Sequence, residues 1–71
     1  MSDFNTVVKD FREGLNKAYR TAKSGDMLKS GMELQMAVAA TKRRRLSRFT
    51  QDQIDSINAD YLKAVRLIRA L

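Results

Sequence analysis

Apolar residues recur at Phe4, Val7, Val8, Phe11, Leu15, Ala18, Tyr19 and Ala22. Three-and-four spacing is the mark of one helix face, not of a strand. At about 100° per residue these positions cover an arc of about 120°, the width of a single buried stripe. Ser2 or Asp3 can cap this helix, and Gly25 in Lys23-Ser24-Gly25-Asp26 is a natural stop, with Asp26 placed to cap the next one. Gly14 lies at the edge of the stripe. A glycine there costs about 1 kcal/mol against alanine, so a close approach by a second helix is the reason to expect it.

A second apolar set follows: Met27, Leu28, Met32, Leu34, Met36, Val38 and Ala39, with Leu46 beyond. It covers about 200° of a helix running from about residue 27 to about 45, more than one buried face needs. Its start is ambiguous. Ser30 with Glu33 forms a second possible capping box, which would turn residues 26–30 into a longer connection. The methionines are read as core filler, the alternative being an adaptable binding surface.

The next turn is the best-specified stretch. Thr50 reads as an N-cap, and Gln53 stands three residues on, as a capping box requires. Phe49 and Ile54 flank the cap as a hydrophobic staple. The helix that follows carries Ile54, Ile57, Tyr61, Ala64, Val65, Ile68 and Leu71 as its stripe, with Leu62 and Leu67 on opposite flanks. Together they span about 220°. Short connections make sequential helices antiparallel. The expected fold is therefore all-α: one domain, residues 1–71, built as a small up-down-up bundle of three helices (about 3–24, 27–45 and 51–71). The surplus apolar width of the second and third helices calls for a cover. Dimerisation is the expected one; the rival is that these two helices occupy the centre of a monomer.

Composition narrows the chemistry. A chain of 71 residues buries a thin core, which small domains commonly supplement with a disulfide, a metal or a partner chain. Cysteine and histidine are both absent, so disulfides and Cys/His zinc sites are ruled out. The same absence, with no glycine-rich phosphate loop, removes the commonest catalytic groups. Neither catalysis nor a cofactor or metal is expected. Asp52 and Asp55 sit at a helix start, where acids complement the helix dipole. No stretch reads as a signal peptide or a membrane span, and the first helix is too mixed in charge for a membrane-surface helix. A cytoplasmic location is the resulting expectation.

The net charge of +6 favours acidic partners. The obvious basic cluster is Lys42, Arg43, Arg44, Arg45 and Arg48. In an up-down-up bundle, however, the end that holds this cluster carries seven cations and five acids, while the opposite end carries seven cations and three acids. Lys17, Arg20, Lys23 and Arg66 are thus equal candidates for a polyanion. A helix-turn-helix reader is disfavoured, because the outer face of the third helix offers only Lys63 and Arg66 for base contacts.

The leading expectation is a non-enzymatic interaction protein, a homodimer that binds and modulates another protein. Inhibition is the expected direction, by analogy with small regulators carried by phages and mobile elements. The candidate contact residues are Leu34, Met36, Leu62 and Leu67, facing an acidic or apolar groove on the partner. The alternative is a nucleic-acid-binding protein that uses the cation clusters.

Overall fold

The computed structural model of the chain describes residues 4–43 and 48–71. Three helices, α1 (Phe4–Lys23), α2 (Met27–Arg43) and α3 (Gln51–Arg69), form an all-α bundle about 36 Å long. The α1–α2 turn is closed by a Schellman motif. The Gly25 amide donates to the Ala22 carbonyl and the Asp26 amide to the Thr21 carbonyl, with Gly25 at φ +103°. That left-handed backbone is why glycine stands there. Asp26 then caps α2, accepting from the Lys29 amide at 3.0 Å. This settles the ambiguous start of α2 at Met27. Ser30 and Glu33 are not a cap; both side chains reach across to α1.

The order of packing goes against the rival reading, in which helices 2 and 3 are central. It is α1 that both neighbours pack on, while α2 and α3 scarcely touch each other among the described residues. Six of the eight stripe residues of α1, Val7, Val8, Phe11, Leu15, Ala18 and Ala22, are buried, and Phe4 and Tyr19 pack half-buried against the clusters. Ile57 and Ala64 of α3 join the main cluster, and Ile68 packs with Ala18 and Ala22 towards the other end. Phe4 stacks edge to face on Phe49 with ring centres 5.4 Å apart, Arg12 pairs with Asp60 at 2.9 Å, and Ala22 meets Ile68. These pairings run in step, so α1 and α3 are parallel.

The α1–α2 seam is built from small groups. The buried residues of α2 are Ser30 and Thr41, with no large apolar side chain among them. A Cβ added to Gly14 would lie 3.0 Å from the Cβ of Ala37, so the glycine does mark a close helix approach. Ser30 is 1% exposed and donates its hydroxyl to the Ala18 carbonyl at 2.7 Å. Thr21 Oγ1 donates across the seam to Glu33 Oε1, and the Lys17 carbonyl offers it a second acceptor at 3.0 Å. The other Glu33 carboxylate oxygen is buried without a hydrogen-bond partner.

At the start of α3 the capping box is complete. The Gln53 amide donates to Thr50 Oγ1 at 3.2 Å and the Thr50 amide to Gln53 Oε1 at 3.0 Å. Phe49 packs on the main core cluster. Thr50→Ala is expected to cost about 1 kcal/mol. Phe49→Ala should cost more, about 2–3 kcal/mol, because it removes a half-buried ring and its partner for Phe4. Urea melts followed by circular dichroism measure both; equal midpoints for the two variants would show that Phe49 adds nothing beyond the cap.

Candidate protein-interaction surfaces

A helix whose inner face is small must put its large residues elsewhere, and α2 does so. Leu28, Met32 and Met36 follow at steps of four and fall within an arc of about 80°, on the side of α2 turned away from α1. They are 81%, 58% and 69% exposed. Met27, at the start of α2, is also exposed. The methionines are therefore not core filler, and the correction has a direct cause. Ser30, Ala37 and Thr41, at steps of seven and four, take the inner face because α1 comes too close for anything larger.

The four expected contact residues do not form one surface. Leu34 is half-buried: it packs against both core clusters, and its remaining surface lines the cleft between α2 and α3. Met36 stands about 160° round α2 from it. Leu62 and Leu67 are exposed but lie about 140° apart on α3. Leu67 lines the cleft between α1 and α3 beside Asn16 and Lys63. Leu28 and Met32, absent from the expected set, complete the surface to which Met36 belongs. Their steps of four were visible in the sequence, but so was an apolar set too wide to show which side faced in.

Because α2 and α3 scarcely touch, a furrow opens between them over α1. Two clefts occupy it, with Tyr61 as their common wall. One, about 290 Å³, is lined by Phe11, Val38, Ile54, Ile57 and Lys42 among others. The second, about 320 Å³, is lined by Leu34, Val65, Ile68, Gly31 and Arg69 among others. Neither lining includes an aspartate or glutamate.

The cation candidates stay apart. Lys42, Arg43 and Arg48 are exposed near the start of α1, and Arg44 and Arg45 fall outside the described residues. Lys17, Arg20, Lys23 and Arg66 are also exposed. Lys23 and Arg66 mark the far end, where Ala22 meets Ile68. The bundle thus separates the two sets rather than focusing them on one site. Among the described residues no group of Asp and Glu is placed to hold a metal ion, and no helix is long and apolar enough to cross a membrane. Searches against protein-family models, curated proteins and solved structures return no match to this chain.

Proposed function

We propose that the chain is a non-enzymatic helical interaction protein that pairs with itself along α2 and binds and restrains another protein. One observation carries this reading: the Leu28, Met32 and Met36 face, large and apolar yet turned out to solvent on a helix that buries only small groups inward. Water contact over such a stripe is unfavourable by about 25 cal/mol per Å² of apolar area. A second copy covers it well. Antiparallel α2 helices related by a two-fold near residue 34 would set Met32 of each protomer against Met36 of the other. The Lys29 side chains would then stand about 15 Å apart along the helix axes, so like charges do not meet. Sedimentation equilibrium at micromolar concentration tests the reading: twice the 8.1 kDa chain mass supports it, and a monomer rejects it.

The rival reading, a nucleic-acid binder, draws on the exposed Lys17, Arg20 and Lys23 in the last two turns of α1. Phosphate contacts lose affinity steeply with salt, whereas apolar docking is nearly flat. Binding of DNA and RNA should therefore be measured across a salt series, with alanine variants at Lys17, Arg20 and Lys23 and at Lys42, Arg43 and Arg48. We expect no complex at about 100 mM salt. A complex whose log–log salt slope falls by about one unit per cation removed would establish the rival.

A further inference from the structure

We infer that the furrow between α2 and α3 is a docking groove for an amphipathic helix with acidic flanks, supplied by the protein that this chain binds. The inference rests on the interaction reading above and names the chemistry of the partner. Shape is the first argument. From Ile54 to Ile68 the groove runs along α3 for about 21 Å, the length of a four-turn helix. Its floor is apolar, with Phe11, Leu34, Ile57 and Ile68 contributed by all three helices. The two clefts lie about 12 Å apart along α3, which matches apolar anchors about two turns apart on the incoming helix. Tyr61 would stand between the anchors.

Gly31 adds a second observation. It sits within α2 on the wall of the groove, and a Cβ built on it would meet nothing within 4 Å. Neither the turn nor the α1 seam requires it. What its lack of a side chain does is leave that wall open.

Charge decides the occupant. Each cleft has one cation on its lining, Lys42 in one and Arg69 in the other, and no carboxylate faces either. Several acids of the chain are engaged elsewhere. Asp26 caps α2, Glu33 lies in the α1–α2 seam, Asp55 is held by Gln51, and Asp60 is paired with Arg12. A second copy would bring a chain of net charge +6 to this cation-rimmed groove. A helix with glutamates beside its apolar stripe meets both cations and covers the floor.

The test uses fluorescence anisotropy with the full chain and three synthetic 18-residue helical peptides. The first has leucines at seven-residue spacing, with further leucines between them at steps of three and four, and glutamates on both flanks. The second replaces each glutamate by lysine, and the third replaces each leucine by alanine. The first should bind saturably, and the other two at least about tenfold more weakly. Gly31→Phe, which fills open space, should keep the helical circular dichroism and weaken the first peptide by at least about tenfold. The Lys42→Glu, Arg69→Glu double variant should reverse the preference between glutamate and lysine peptides. No saturable binding of the first peptide overturns the inference. So does equal binding of the leucine and alanine versions, which would mean charge attraction alone, and so does indifference to Gly31→Phe. If Gly31→Phe instead dissociates the dimer, the occupant is a second copy and the inference falls. Self-association through the outer face of α2 is read separately by sedimentation, so loss of the groove leaves that reading standing.

Discussion

Ser30→Leu is expected to remove a large share of the stability of the fold, although it places an apolar residue in a buried position. Ser30 faces the backbone of α1, and its hydroxyl oxygen lies 2.7 Å from the Ala18 carbonyl. Ala18 itself is fully buried, so the seam with α1 has no room for extra carbon atoms, and the open space beside Ser30 is the α2–α3 cleft that it also lines. A leucine must either push the two helices apart or leave its preferred rotamers. Overpacking of this kind costs about 1–3 kcal/mol and occasionally more. The lost hydrogen bond adds about 1 kcal/mol. A chain of this length is stable by only about 4–10 kcal/mol, so a total of about 2–4 kcal/mol is a large share. Ser30→Ala separates the two contributions. The Ala18 carbonyl still serves its own helix, so the smaller variant loses only the cross-helix bond, about 1 kcal/mol. Urea unfolding of the two variants decides the matter. If leucine proves as well tolerated as alanine, the seam is looser than its geometry indicates.

Charging the outer face of α2 is expected to act on assembly and spare the fold. In a Leu28→Lys, Met32→Lys, Met36→Lys variant each new lysine lies on the solvent side, and all three residues are good helix formers before and after. The helical signal and melting midpoint of the monomer should change little. The dimer, by contrast, would bury six new cations against one another. Its dissociation constant should rise by at least about a hundredfold, equivalent to about 2.7 kcal/mol. Sedimentation of the two proteins at the same micromolar concentration reads this directly, the proposed dimer being expected for the wild type and a monomer for the variant. An unchanged dimer would move the self-association surface away from α2, and an unfolded variant would mean that these residues are interior after all.

Local signals carried much of the fold. The glycine stop at Gly25, the Asp26 cap and the reciprocal Thr50–Gln53 box stand in the structure as their residue types demand, because each depends on a few neighbours in the chain. The same holds for the buried stripe of α1, whose narrow period left one choice of face. Where two devices used the same residue types, the local signal could not choose. Ser30 and Glu33 have the spacing of a capping box, yet both are spent across the helix seam.

What the sequence by itself determined is therefore the presence and order of the helices, the capped start of the third, and the inner face of the first. Only tertiary structure decided which helix is central, which face of α2 looks inward and where the surplus apolar surface lies. The reason is that a helix with apolar residues over about 200° has several faces it could bury, and periodicity cannot rank them. Close approach at Gly14 and Ala37 ranks them for α2: small groups fit against α1, and Leu28, Met32 and Met36 are left outside. The same packing brings α2 and α3 to different sides of α1, which opens the groove between them.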